Sequence, residues 1–183
     1  MDDDKALKNL TLAVFSHGKE SDPYGSKIKC LMTVAEELGL RTDSIDYREC
    51  VNADERVSKL QEYLNQLDVP IYQVVLVGSS MGGYVSMAVA NEYPIAGLFL
   101  MAPALWIKSE EYTIHTFNPK TEHVEIVHGM HDDTVSYESS IRFAREHDGT
   151  ILHLVPDNHR LKSSLAFIAS QFRRFLNDIS EQC

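Results

Sequence analysis

The sequence has no run of about 18 apolar residues, the length a helix needs to cross a bilayer, so no membrane span is expected. Cysteine is scarce. Cys30, Cys50 and Cys183 form an odd set with no CxxC pair, which gives cysteine catalysis no local support. Reduced thiols in a cytoplasmic protein are the expectation, and a chain of this size needs no disulfide framework. The start, Met1-Asp2-Asp3-Asp4-Lys5, lacks the basic-then-apolar order of a secretory signal. Residues 1–9 therefore read as a solvated tail, native or appended. Positive charge is also lacking: the formal net charge is −10, and Lys and Arg are scattered apart from Arg173-Arg174. Such a chain is not built to neutralise phosphates, and nucleic acid is not an expected partner. There is no internal repeat, low-complexity tract or linker, so residues 1–183 are expected to form one domain.

What is present is an alternation of short apolar runs with amphipathic segments, the signature of βαβ units and a parallel sheet. Strands are expected over 10–16, 41–47, 73–78, 95–102, 122–127 and 150–155. Between them, helices are expected over 26–38, from Asn52 with Val57, Leu60, Leu64 and Leu67 on one face, over 80–91 and over 136–146. Val74-Val75-Leu76-Val77 and Leu98-Phe99-Leu100-Met101 are unbroken apolar runs, as in strands buried on both faces. Leu161, Leu165, Ile168, Phe172, Phe175 and Ile179 keep a three-or-four spacing that predicts a long final helix. The stretch 104–121 breaks the alternation. Its Trp106, Tyr112 and Phe117 are expected to edge a shallow, open pocket beneath a minimal cap.

Gly78-Ser79-Ser80-Met81-Gly82 fits G-x-S-x-G directly after a buried strand and at the start of a helix. A serine on such a sharp turn brings the residues on either side close together, and glycines at 78 and 82 remove the clashing Cβ atoms. The bland alternative is a tightly packed or phosphate-binding turn. A phosphate loop would carry Gly-Lys-Ser/Thr and a dinucleotide turn G-x-G-x-x-G, and neither occurs. Ser80 is thus a candidate nucleophile.

Serine needs a base, and the base needs an orienting acid. On a doubly wound sheet these would follow later strands in the order acid, then histidine. His128-Gly129-Met130-His131-Asp132-Asp133 follows the fifth strand, and Asp157-Asn158-His159 the sixth. C-terminal strand ends share one sheet edge, so these loops can converge on Ser80. His159 is the candidate base. The acid is Asp132 or Asp133; Asp157 lies too near His159 along the chain. A metal site from His128, His131, Asp132 and Asp133 is a further possibility, but the cluster lacks a diagnostic spacing. The backbone amides of Met81 and Lys19 are candidate oxyanion donors, each worth ~3–4 kcal/mol of barrier lowering. His17 is expected to shape the Lys19 loop rather than to react.

With these motifs in place, the chain resembles the α/β-hydrolase superfamily over nearly its whole length. Ser16-His17-Gly18-Lys19-Glu20-Ser21-Asp22-Pro23-Tyr24-Gly25-Ser26-Lys27 is similar to the S-H-G-K-x-S-x-P-x-G-x-K loop of small bacterial esterases of the YqiA type. His128-Gly129-x-x-Asp132-x-x-Val135 resembles the superfamily's acid turn, which favours Asp132 over Asp133. Asp157-Asn158-His159 resembles its base loop. One departure is Ser79, where many relatives carry a residue such as histidine. The resemblance implies a single-domain α/β-hydrolase fold with a mainly parallel six-stranded sheet. It further implies a Ser80–Asp132–His159 triad acting on short to medium acyl esters or thioesters, without cofactor or metal. Trp106, Tyr112 and Phe117 are expected to touch the substrate. From a different class comes the alternative of a non-catalytic protein-binding module on the same fold, and a cofactor-free haloperoxidase or a lyase would use a similar triad.

Overall fold

The computed structural model describes residues 9–181. The expected tail thus lies outside the described residues except for Asn9, and so does Cys183. Six strands, β1 (Leu12–Ser16), β2 (Arg41–Ile45), β3 (Val74–Ser79), β4 (Gly97–Met101), β5 (Val124–Gly129) and β6 (Ile151–Val155), form one parallel sheet in the order β2-β1-β3-β4-β5-β6. Five helices connect or follow them: α1 (Ser26–Glu37), α2 (Ala53–Asn65), α3 (Met81–Ala90), α4 (Glu138–Glu146) and α5 (Leu165–Glu181).

The period-two alternation of each strand divides the core between the two faces of the sheet. Leu12, Val14, Leu76, Leu98, Leu100 and Ile126 face α2, α3 and α4. Ala13, Phe15, Val75, Val77, Phe99 and Val127 face α1 and α5, where Phe172 and Phe175 stack into the layer. The central strands β1, β3, β4 and β5 are buried along their whole length, and only the edge strands β2 and β6 are partly exposed. All ten residues of α3 are buried, which accounts for its apolar character all the way round. α2 starts where the sequence indicated: Asn52 Oδ1 accepts from the Glu55 amide at 2.9 Å, and Glu55 Oε2 accepts from the Val51 amide at 2.7 Å.

Two expectations are corrected. The final helix begins at Leu165, not Leu161; Leu161 is fully buried but has φ 55° in the turn before the helix. Its apolar spacing therefore reflects a packed turn, not a helical one. Ile71–Gln73 adds a short 3-10 turn after Pro70 that the apolar pattern did not signal. Strand order reverses between β1 and β3, which leave the sheet centre toward opposite edges. Loops leaving a parallel sheet at such a switch point diverge and open a crevice. The β1–α1 and β3–α3 loops flank that crevice.

Candidate active site

Ser80 sits between β3 and α3 with φ 56° and ψ −118°, a conformation that costs an L residue energy. The local packing imposes it. A Cβ on Gly78 would stand 2.7 Å from Gly83 Cα, and one on Gly82 would stand 2.7 Å from the His17 carbonyl oxygen. The turn is pinned by hydrogen bonds. Its amide donates to Met101 O at 2.9 Å, and its carbonyl accepts from the amides of Gly83 at 2.9 Å and Ala104 at 3.0 Å. The side chain is thereby fixed above the N-terminus of α3, where the helix dipole favours developing negative charge.

His159, in the β6–α5 loop, places Nε2 3.0 Å from Ser80 Oγ and Nδ1 2.7 Å from Asp132 Oδ2. An ionised carboxylate only accepts, so Nδ1 carries the proton and Nε2 accepts from the serine hydroxyl. Asp132 has no solvent-exposed side-chain surface. Burial pushes its carboxyl upward, but the Val135 amide, His159 and the Thr134 amide together hold it below the ordinary carboxylate value. Both amides donate to Oδ1, at 2.8 and 2.9 Å.

A second histidine touches the same acid. His128 Nε2 lies 3.1 Å from Asp132 Oδ2 and 3.1 Å from the Val135 carbonyl, so it carries the proton, while Nδ1 accepts from Ser140 Oγ at 2.7 Å. Burial lowers the His128 pKa and keeps the ring neutral. Asp133 points to solvent. With both ring nitrogens of His128 engaged, the H-x-x-H-D cluster does not assemble as a ligand set; among the described residues no group of three or more His, Cys, Asp or Glu side chains is disposed to hold a metal ion. The acid and base loops are held against each other by the amides of Met130 and His131, which donate to Val155 O and Asp157 O at 2.8 and 3.0 Å. A Cβ on Gly129 would strike the Asp157 carbonyl. Asp157 itself ties down the loop, accepting from the amides of Asn158 and Ser164.

The Met81 amide opens α3, and the Lys19 amide lies in the β1–α1 loop; neither donates to a protein acceptor among the described residues. His17 is fully buried. Its Nδ1 donates to Gly18 O at 2.8 Å and its Nε2 accepts from the Tyr47 amide at 3.0 Å, so it shapes this loop. The Lys19 ammonium holds Glu111 of the 104–121 stretch at 2.7 Å. Lys27, the last residue of the loop's lysine signature, lies in the first turn of α1. Burial lowers its pKa to about 8, against the attraction of Asp132 and Asp157.

Of the three aromatic residues expected at the pocket edge, only Trp106 is there. It lines a cavity of about 290 Å3 with Leu105, Ile107, Val135, Ser136 and Arg142, whose guanidinium stacks 4.0 Å from the indole centroid. Tyr112 and Phe117 are 9% and 4% exposed and turn inward onto Tyr84, with ring centroids 4.9 and 6.1 Å away. The aromatic stretch closes the core instead of edging the cleft, because Tyr84 hydrogen-bonds both Asp54 and the Ile114 amide and draws the segment inward. One buried charge by the Lys19 loop, Arg56, had no place in the sequence expectation.

The family model for serine aminopeptidases of the S33 type matches residues 49–124, a span that holds Ser80 but ends before Asp132 and His159. No curated protein matches the chain in sequence. Among solved structures, a protein from Xanthomonas campestris pv. campestris described as an α/β-superfamily hydrolase is 26% identical. The match covers 92% of this chain and 98% of that one, with a TM-score of 0.80. Est1E from Butyrivibrio proteoclasticus is 19% identical over 93% of this chain and 88% of its own, with a TM-score of 0.77. The mouse α/β-hydrolase domain-containing protein 10 is 16% identical over 92% and 90%, with a TM-score of 0.70. This chain belongs to the α/β-hydrolase superfamily. It is a hydrolase of the α/β type, one domain with a six-stranded parallel sheet flanked by helices. Among the described residues no helix is long and apolar enough to cross a membrane.

Proposed function

We propose that the protein is a serine hydrolase that cleaves carboxylic esters or acyl thioesters with short to medium acyl chains. One observation carries this reading: the unbroken relay from Ser80 Oγ through His159 to Asp132, with contacts of 3.0 and 2.7 Å. Ser80 Oγ attacks the acyl carbonyl carbon while its proton passes to His159 Nε2. The Lys19 and Met81 amides receive the oxyanion, and Asp132 supports the imidazolium. Collapse of the tetrahedral adduct breaks the bond to the alcohol or thiol, which leaves with the proton from His159. Water then gives a proton to His159, attacks the acyl-Ser80 ester and releases the carboxylic acid, and Ser80 recovers its proton.

The cavity of about 290 Å3 lined by the segment after β4 and the start of α4 is at the small end of ligand sites, and its Leu105, Trp106 and Ile107 walls suit an apolar acyl group. Ser80 O and the Ala104 amide link this wall to the elbow, and Val135 links the opposite wall to Asp132. Structural likeness points the same way: Est1E has also been seen with ferulic acid bound. The first loop's likeness to YqiA-type esterases and the free thiols of Cys30 and Cys50 fit a cytoplasmic enzyme that needs no cofactor.

Fluorophosphonate labelling of the wild type and Ser80→Ala, located by peptide mass, tests the reading alongside turnover of p-nitrophenyl esters of increasing length. The expected result is label at Ser80, lost in the variant, with turnover falling once the acyl chain outgrows the cavity. Aminoacyl p-nitroanilides serve as the amide control, because the partial family match is to aminopeptidases. An unlabelled, folded and inactive wild type would refute the proposal and favour a binding module.

A further inference from the structure

Among the described residues, one buried cation has no carboxylate in contact with it. Arg56 lies in the first turns of α2 and is 4% exposed. Among the described residues no carboxylate contacts it, the nearest acidic influence being Glu111, which the Lys19 ammonium holds, and its Nε has no hydrogen-bond partner. Its other interactions are two hydrogen bonds from Nη1, to His17 O at 3.2 Å and Gly18 O at 3.3 Å, and a stack 5.4 Å from the Tyr47 ring centroid. Three physical preferences oppose this placement. A buried charge without a counter-charge in contact is costly, an unsatisfied buried donor adds to the cost, and a cation is disfavoured near the positive end of a helix. A residue kept against all three serves something other than the stability of the fold.

Its acceptors say what that is. Gly18 C=O and Lys19 N–H belong to one planar trans peptide and point in opposite directions. Gly18 O accepts from Arg56 Nη1, from His17 Nδ1 at 2.8 Å and from Ser21 Oγ at 3.4 Å. Drawing that carbonyl down toward the charge turns the Lys19 amide up toward the crevice. A cation on the oxygen of a peptide also polarises it and strengthens the N–H as a donor. The loop cannot slide away, because Gly82 of α3 packs directly beneath the Ser16 and His17 carbonyls.

We propose that Arg56 is a positioning residue that aims and polarises the Lys19 amide as an oxyanion donor, its buried charge adding positive potential at the developing oxyanion. This inference rests on the serine-hydrolase reading. It assigns Arg56 to the transition state of that reaction and not to substrate binding.

The test compares wild type, Arg56→Met and Arg56→Lys on a p-nitrophenyl ester, with melting temperature measured in parallel. Arg56→Met is expected to lower kcat by about 100-fold with KM within about twofold. It should also weaken a trifluoromethyl ketone inhibitor by the same factor as kcat/KM. Its melting temperature should stay level or rise, because a costly charge is gone. Arg56→Lys keeps the charge without the fork and should fall between the two. A purely structural arginine predicts the opposite signature: a lowered melting temperature, with the inhibitor constant not tracking kcat/KM. That pattern, or a kcat within about threefold of wild type, overturns the proposal. If Arg56→Met does not fold, that too overturns it, and Arg56→Lys still reports kcat. A wild type that neither labels at Ser80 nor turns over any ester fails the hydrolase reading itself. A labelled, active wild type with an unaffected Arg56→Met fails this inference alone.

Discussion

Strands β5 and β6 carry two acid–histidine pairs that look alike in isolation. Beyond the strand ends, His159 Nδ1 meets Asp132 at 2.7 Å; within the strands, His153 Nε2 meets Glu125 at 2.8 Å. In both, the carboxylate side chain is fully buried, and the imidazoles are 20% and 22% exposed. The surroundings separate them. Asp132 is held by two backbone amides, and the far nitrogen of His159 meets Ser80. Glu125 has only side-chain donors, His153 and the part-exposed Arg174 of α5, and His153 rests edge-on against Phe167. Burial raises the Glu125 carboxyl, and His153 and Arg174 offset this only in part, whereas Asp132 ends below its ordinary value. An acid–histidine pair therefore does not define a site. What sets the candidate site apart is the pair of fixed amide donors on the acid and the serine hydroxyl on the opposite ring nitrogen.

The sharpest way to break this comparison is to remove each histidine and the serine. Ser80→Ala and His159→Ala should each lower kcat by about 10⁴-fold or more in folded protein. His153→Ala should leave kcat within about twofold and act on stability instead, because it touches nothing at the crevice. Loss of turnover in a folded His153→Ala protein would erase the distinction. The acids should differ next in size of effect. Asp132→Asn is expected to lower kcat by about 10²–10⁴-fold, since His159 loses its fixed tautomer. Glu125→Gln should leave kcat unchanged, while Glu125→Ala should cost about 1–3 kcal/mol of folding stability by urea titration.

The acids should also respond to pH with opposite sign. The folded pKa of Asp132 is depressed, so its stabilisation is present above the unfolded value near 3.8 and is lost as pH falls through the folded value. Glu125 is raised. Its contribution is fully present below the unfolded value near 4.5 and is lost as pH rises through the folded value. The stability gap between wild type and Asp132→Asn should therefore widen from pH 3 to pH 6, and that between wild type and Glu125→Gln should shift in favour of the variant. Urea denaturation across that range reads both, and two gaps that move together would contradict the contrast.

Much of this arrangement was legible beforehand because it depends on local chemistry. Unbroken apolar runs marked the buried strands, and the glycines at 78 and 82 marked the elbow. Chain order placed Asp132 and His159 after successive strands. What escaped depends on contacts distant in sequence. Tyr112 and Phe117 looked like a pocket rim because nothing local announces that Tyr84 will draw them inward. Leu161 kept helical spacing while sitting in a turn. Arg56 leaves only a faint signal in the sequence. It shares the buried stripe of α2 with Ala53, Leu60 and Leu64, where a solvated charge does not belong. Glu125, in the middle of an apolar strand, left the same kind of signal.

The smallest expected effect concerns where the chain stores strain. Among the described residues, the non-glycine positions with positive φ are Ser80, Ala102, Trp106 and Leu161. Ser80 and Ala102 immediately follow strands β3 and β4, and all four fall in loops at the crevice end of the sheet, whereas Glu125 and His153 sit in ordinary strand geometry. If Ser80 is held there for its chemistry, freeing the backbone should stabilise the protein. Ser80→Ala keeps the Cβ and the strain, and Ser80→Gly removes both. Relief of about 1–2 kcal/mol from the turn, less the extra freedom glycine has when unfolded, leaves Ser80→Gly ahead by about 1 kcal/mol. In a chain of this size that is a rise in melting temperature of about 2–4 °C over Ser80→Ala. Equal melting temperatures would mean that the elbow is relaxed, and that the crevice differs from the Glu125 end in its hydrogen bonds alone.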